Sequence, residues 1–463
     1  MRQPVLNDRI ISSLIEKDGM RELCALMLYE VYENGAYTNL VIKRCDQIAV
    51  QKGIYLKTLR AMLYGTVTYT YAIDFMIRHI AKRDVNELDP FLRVLIRLGA
   101  WQILFSDKIP SFAAVSETVN IADKYCPEAK GLVNAVLRRL CDASAEDREP
   151  DNYRPDVRVS LKSEIYGIFK RDYGKDRALS IGKAFLNRPV VTIRFDPAKI
   201  SAAEIENRLA EESFSVNPGS FLPEVMKVET GLTGLEDSET FRSGLFFVQN
   251  EAAALASHIA SPKRGDKILD CCAAPGGKTT HMAELVSDDA DILATDSSES
   301  RLELLKQNIE RLGINSIRTK VMDCTDMSGL DEVFDIVLAD SPCSGLGIIG
   351  RKPDIRLNMT YDKIAELKEI QHTILAEAST KVKPGGALIY CTCTINKDEN
   401  ERQVERFLSE HPDFRAVSIM PYLPESIIMD EERLRAAENG CITLLPDVDS
   451  CDGFFVARME RLI

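Results

Sequence analysis

The chain has 463 residues, enough for two to four folded domains, and no stretch of it offers the roughly 18 consecutive apolar residues of a membrane span. Its 45% hydrophobic and 28% charged content is that of a globular protein, and a net charge of −13 excludes indiscriminate binding of polyanions by the whole surface. The acidity is uneven: residues 1–150 hold 20 Lys+Arg against 19 Asp+Glu, so a nucleic-acid partner would be met through local basic patches.

Taken in chain order, Met1–Asp8 lacks the apolar core of a signal peptide, and the expected location is cytoplasmic. Residues 1–145 read as an all-helical domain. Apolar positions recur at helical spacing through Ile10–Tyr32, Leu56–Ile80, Leu92–Phe105, Ala113–Tyr125 and Gly131–Leu140. Asp89-Pro90, Ile109-Pro110 and Cys126-Pro127 break the pattern between them. The polar, acidic stretch Cys141–Pro155 reads as a linker. Residues 155–250 read as a small α+β unit: weak helical periodicity over 157–187, strands at Val190–Phe195, Glu224–Glu229 and Leu245–Gln249, and a helix over Ala202–Glu212.

Over 251–463 strands alternate with helices. Strands are expected at 267–272, 291–296, 317–322, 334–339 and 387–392, and helices at 279–286, 299–312, 362–382 and 398–410. Such alternation predicts a mostly parallel α/β sheet covered on both faces, with Ile442–Leu445 and Gly453–Arg458 as a hairpin at its edge.

Ligands of such a sheet sit at the carboxyl ends of its strands, and the informative residues lie there. Pro275-Gly276-Gly277 lies before the helix expected near Thr279, where free N–H groups and glycine backbone can meet a ligand. It is neither a Walker loop nor a dinucleotide fingerprint; its plain alternative is a tight turn. Asp296 ends the second strand and can accept from both hydroxyls of a ribose. Asp323 ends the third and can accept from an adenine amine, although either is also a potential helix cap. With no Lys/Arg cluster around the loop, the ligand reads as an adenosine without phosphates. Two further motifs, Asp340-Ser341-Pro342-Cys343 and Tyr390-Cys391-Thr392-Cys393, place thiols where strands emerge. A lone strand-end cysteine is more often packing than chemistry. An exposed thiolate, though, can add to carbon 6 of a pyrimidine and make carbon 5 nucleophilic, with Asp340 stabilising charge on the ring nitrogen and a second thiol undoing the adduct. The five histidines form no HExxH and the twelve cysteines no CxxC, so no metal is expected.

Together, Ala273-Ala274-Pro275-Gly276-Gly277-Lys278-Thr279-Thr280, Asp340-x-Pro342-Cys343-Ser344-Gly345-x-Gly347, Pro353-Asp354-Ile355, Thr392-Cys393-Thr394 with Glu399-Asn400-Glu401, and Asp452-Gly453-Phe454-Phe455 resemble the Nop2/Sun/RsmB family of RNA cytosine-5 methyltransferases. The helical domain, through Leu92-Arg93, Arg97-Leu98-Gly99-Ala100-Trp101-Gln102 and Val133–Arg139, resembles the NusB-like RNA-binding fold. The resemblance implies a Rossmann-like domain over 251–463 that uses S-adenosylmethionine. It implies methylation of a cytosine in 16S rRNA, free or in a small-subunit assembly intermediate, by a monomer. Cys393 is then the nucleophile, Cys343 assists release of the product, and Asp340 serves base and cofactor. Cys272, Ala273, Ala274, Pro275, Gly276, Gly277, Lys278, Asp296, Asp323 and Asp340 form the cofactor site. Arg138-Arg139, Lys82-Arg83, Lys43-Arg44, Arg93, Arg97 and Arg351-Lys352 are candidate RNA contacts. The chain departs from the family in having Arg356-Leu357-Asn358 where a tryptophan is common, and Arg194-Phe195-Asp196 in place of Arg-x-Asn.

Overall fold

Asp89 accepts a hydrogen bond from the Phe91 amide at 3.0 Å and Pro90 presets the first turn, so a helix starts there and runs over Pro90–Leu104. It is apolar nearly all round, as a helix must be when neighbours surround it. Trp101 lies flat on Gly65, where a Cβ would fall 2.2 Å from the indole, so the glycine is required by close approach. The computed structural model describes residues 6–50, 54, 56–230, 234–427 and 430–463; Met1–Val5 of the N-terminal stretch lies outside them.

The central helix belongs to the first of two compact units, Met1–Asn187 with Ile349–Met359. Around it pack helices Met20–Glu33, Lys57–Thr68, Thr70–Ala81, Ser111–Tyr125 and Lys130–Cys141. Two expected RNA contacts are used up here. Arg97 is buried, bidentate to Asp74 at 2.8 and 2.7 Å and stacked over Tyr32, while Arg93 pairs with Glu33 at 2.6 Å. Their helix is enclosed on all sides, so its cations turn inward and need carboxylate partners. The short excursion Ile349–Met359 carries Arg356, whose side chain is fully buried. Its guanidinium donates to the carbonyls of Thr68, Val159, Ser160 and Phe185 at 2.9–3.2 Å. Burial pushes that guanidinium down to about 9. The departure at 356 is thus a structural residue whose planar fork matches a ring of carbonyls.

The second unit, Arg188–Ile348 with Thr360–Ile463, holds both sheets. The smaller contains β1 (Val191–Phe195), β2 (Ser215–Pro218), β3 (Val225–Thr230) and β4 (Phe246–Val248), in the antiparallel order β2-β3-β1-β4. β2 was not anticipated, because Ser-Val-Asn-Pro has little strand character of its own and pairs through β3. The larger contains β5 (Lys267–Asp270), β6 (Asp291–Asp296), β7 (Ile317–Val321), β8 (Phe334–Asp340), β9 (Val382–Thr392), β10 (Phe414–Ala416), β11 (Cys441–Leu444) and β12 (Phe454–Arg461). Its order is β10-β12-β9-β8-β5-β6-β7, with β11 also on β12. β5 to β9 are parallel and form the Rossmann-like core. The expected tail hairpin exists, but β12 does not lie at the edge. It inserts antiparallel between β9 and β10, because Phe455, Val456, Ala457 and Met459 are apolar toward both faces. Since β5 leads to β6 on one side and pairs with β8 on the other, the chain reverses direction between β5 and β8, where α/β sheets bind ligands. Among the described residues no helix is long and apolar enough to cross a membrane.

Candidate active site

β8 and β9 are neighbours, with Asp340 opposite Cys391, so the loops that leave them start side by side. Pro342 turns the first loop, and Cys343 Sγ comes to 3.3 Å from Cys393 Sγ in the second. The two thiols expected at one cleft therefore meet. The hydrogen bond between the sulfurs and burial push the Cys343 thiol well up.

The pair is held by a residue the sequence offered only as part of a motif. Glu399, fully buried, accepts from the Ser344 amide at 2.8 Å, the Ser344 hydroxyl at 2.5 Å, Gln371 Nε2 at 3.0 Å and Asn396 Nδ2 at 2.9 Å. Ser344 follows Cys343, and its hydroxyl also contacts Thr394, which follows Cys393, at 2.8 Å. Asn400 accepts from the Thr392 hydroxyl at 2.6 Å and donates to Thr394 O at 3.0 Å. One carboxylate and one amide thus fix both loops. The backbone adds a third tie: Gly347 N–H donates to Cys393 O at 3.0 Å, and Gly453 N–H, just before β12, donates to Gly347 O at 2.8 Å. A Cβ on Gly347 would lie 2.1 Å from Gly453 O, which explains the glycine in each motif.

The glycine loop leaves β5. Gly276, at φ +107°, is in a region that excludes side chains, and it opens the helix Gly277–Leu285. Ala273 N–H donates to Thr295 O on β6, and Arg301 donates to Ala274 O, so the loop is braced from its neighbour. Lys278 reaches across to Asp340 at 2.6 Å; burial works against its charge, but Asp340 outweighs burial and keeps it protonated. Cys272 contributes no nucleophile, since contact with Cys324 and burial hold its thiol well up.

Asp296 is buried at the end of β6. One oxygen accepts from Ser298 N–H at 3.0 Å; the other accepts no hydrogen bond, with the Arg301 guanidinium 3.3 Å away. Asp323 is exposed and accepts from Thr325 through one oxygen, leaving its second toward solvent. An open buried carboxylate, a second acidic strand end and a glycine turn fit a nucleoside that carries no phosphates, such as the adenosine of S-adenosylmethionine. That group would supply an electrophilic methyl.

Two polar clusters escaped the sequence. Arg194, noted in the sequence only as part of the Arg194-Phe195-Asp196 departure, is buried and pairs with Glu284 at 2.8 Å. Glu224 meets His258 Nε2 at 2.6 Å and His281 Nε2 at 3.4 Å. The first distance is that of a hydrogen bond, shorter than the edge of about 3.3 Å between ligands around a tetrahedral zinc. Burial opposes the charge of Glu224, but hydrogen bonds from both histidines hold it well below the usual carboxylate range. Burial and the charge of Arg194 hold His281 at about 3, so it stays neutral. No short sequence spacing links these three residues.

Residues 257–460 match the family described as 16S rRNA methyltransferase RsmB/F, and residues 19–142 match the NusB family. A probable ribosomal RNA small subunit methyltransferase B from Synechocystis sp. is 32% identical over 95% of this chain and 99% of its own. Its counterpart from Bacillus subtilis is 31% identical over 96% of this chain and its whole length. The crystal structure of PH0851 superposes with a TM-score of 0.78 at 27% identity, covering 96% of this chain and 98% of that one. NSun6 from Pyrococcus horikoshii with SFG shares the fold at 22% identity, with a TM-score of 0.58 over 65% of this chain and 98% of that one.

Proposed function

The chain belongs to the RsmB/F family of small-subunit ribosomal RNA methyltransferases, and from that premise we propose that it methylates carbon 5 of a cytosine in 16S rRNA through a covalent cysteine adduct. The observation that carries the reading is the pair of sulfurs 3.3 Å apart beside the Lys278–Asp340 pair. A base modified at carbon 5 without an adduct has no use for two adjacent thiols.

Cys393, as thiolate, forms a bond to carbon 6 and pushes the ring electrons toward carbon 5 and the ring nitrogen. Cys343, whose thiol the neighbouring sulfur and burial push well up, stands 3.3 Å from it. Lys278 and Asp340 share a proton that can meet the charge developing on the ring nitrogen. S-adenosylmethionine, held by the glycine loop, would supply the methyl for carbon 5 and leave as S-adenosylhomocysteine. Cys343, once it has given its own proton to solvent, takes the carbon-5 proton, so that the carbon 5–carbon 6 double bond re-forms and Cys393 leaves as a thiolate. The target base must leave its stack to reach these sulfurs. The cofactor is held by 272–278, Asp296, Asp323 and Asp340. The division of labour follows: residues 1–145 hold RNA, 155–250 assist, and 251–463 catalyse, as a cytoplasmic monomer without a metal.

Purified protein, labelled S-adenosylmethionine and 16S rRNA or small-subunit particles from a deletion strain make the test. Bisulfite sequencing should find one new 5-methylcytosine. Label recovered in a ribose or in another base would sink the proposal.

A further inference from the structure

The two sulfurs stand side by side, but the chain holds them from different places. Cys343 lies between two peptide groups, and a buried side chain grips each of them. The Pro342 carbonyl accepts from Gln371 Nε2 at 3.0 Å, and the Ser344 N–H donates to Glu399 Oε1 at 2.8 Å. Gln371 Nε2 also donates to that same Glu399 oxygen at 3.0 Å, so amide and carboxylate make one clamp across the cysteine. Cys393 is held otherwise. Its carbonyl accepts from Gly347 N–H, and Asn400 fixes its neighbours Thr392 and Thr394. None of the side-chain hydrogen bonds of Gln371 goes to Cys393 or to either neighbour.

Gln371 lies on the helix Tyr361–Ser379 and is fully buried. Its amide is spent at both ends. Nε2 serves the clamp, and Oε1 accepts from Gln403 Nε2 at 3.4 Å, which is itself anchored on Lys368 O at 2.6 Å. Turning the amide over would set its oxygen against the Pro342 carbonyl and the Glu399 carboxylate, so one orientation is fixed. A carboxylate in this place would face Glu399, and an apolar chain would leave the Pro342 carbonyl without its donor.

We infer that Gln371 is a positioning residue for the release step, acting through Cys343, while the attack by Cys393 depends on other ties. The inference rests on the covalent reading above and assigns a residue to one of its two halves. In that half the Cys343 thiolate takes the carbon-5 proton. The electrons of the carbon–hydrogen bond re-form the carbon 5–carbon 6 double bond, and the carbon 6–sulfur bond breaks with its pair on Cys393. A misplacement of about 1 Å can cost about a hundredfold in such a transfer, so a Cys343 backbone freed to shift slows release. Attack on carbon 6 uses Cys393 and comes earlier.

A single turnover with methyl-labelled S-adenosylmethionine and unmethylated 16S rRNA reads both halves. Total label on RNA reports transfer, and label that runs with protein on a denaturing gel reports adduct not yet released. Gln371→Met keeps the length of the side chain and removes both donated hydrogen bonds. It should transfer label within about threefold of wild type and release it about tenfold or more slowly, so that adduct accumulates. Gln371→Asn, which keeps the amide but draws it back, should show the same bias and serves if the first variant does not fold. Gln403→Met is the control. It loosens the same pair of helices without touching Pro342, and should release as wild type does. Wild-type release in both Gln371 variants, or transfer and release slowed alike, overturns the inference. An equal adduct in Gln403→Met also overturns it, by giving the effect to loosened packing. If Cys343→Ala gives no adduct, the covalent reading itself falls, and that outcome appears without any change at Gln371.

Discussion

The thiol loops and the glycine loop lie on neighbouring strands but treat their polar groups in opposite ways. Around Cys343 and Cys393 most buried polar groups are spent on one another: Glu399, Asn400, Ser344, Thr394 and Gln371 form a connected network, with the Ser341 hydroxyl as an exception. Around the glycine loop, Asp270 Oδ1 and Gln249 Nε2 make no hydrogen bond, and Asp296 Oδ2 has only the ion pair with Arg301 at 3.3 Å. A connected network fixes atoms whose mutual distance matters to chemistry. An open one waits for a molecule that brings the missing partners. The carboxyl ends of one sheet therefore carry one tied group of loops and one set of polar atoms without hydrogen-bond partners, and the hydrogen-bond inventory tells them apart.

Substitutions should separate the two regions. Cys393→Ala should abolish methyl transfer while leaving S-adenosylhomocysteine binding intact by calorimetry. Cys343→Ala should instead accumulate an RNA–protein adduct that survives a denaturing gel. If Cys393→Ala also lost the ligand, the division would be wrong.

Glu399→Ala strands at least four buried donors, and should cost about 3–5 kcal/mol in denaturant unfolding. It should also slow turnover with little change in cofactor affinity. A stable, fully active variant would show that the network is not needed to hold the sulfurs.

Asp270 makes the receptive side sensitive to pH. Its carboxyl is raised in the folded state to about 7, so the native protein binds the extra proton between about pH 4 and 7. Stability should therefore fall as pH rises through that window and level off above it, by at most about 4 kcal/mol. Asp270→Asn should remove this slope in urea melts followed at several pH values. The smallest effect expected is for Asp296→Ala, a loss of about 1.5–3 kcal/mol in S-adenosylhomocysteine affinity with the thiol network unchanged.

Much of this arrangement could be read from the chain, because strand-end chemistry is local. The apolar runs 334–339 and 387–392 announce where strands stop, and the residues just beyond them are Asp340, Cys343 and Cys393. Asp296 and the glycine turn were legible for the same reason. What escaped depends on pairings distant in sequence. Glu399 serves Ser344, 55 positions earlier, and no periodicity reports that. Arg97 sits on a helix that was legible, but its burial and its ion pair with Asp74 on another helix were not. The apolar run at the start of β12 was legible, but its partners β9 and β10 lie far away in sequence, and nothing local names them. The Glu224, His258 and His281 cluster joins the turn before β3 of one sheet to two helices, Glu251–Ala260 and Gly277–Leu285.

The contact between Gly453 and Gly347 has a consequence for the life of the molecule. Every other strand of the large sheet is synthesised before β12, yet β12 lies against β9, with Phe455 opposite Thr392, and its leading glycine ties down the Cys343 loop. A chain cut before residue 453 would keep the parallel strands and both cysteine loops and lose the backbone tie that joins the Cys343 loop to β12.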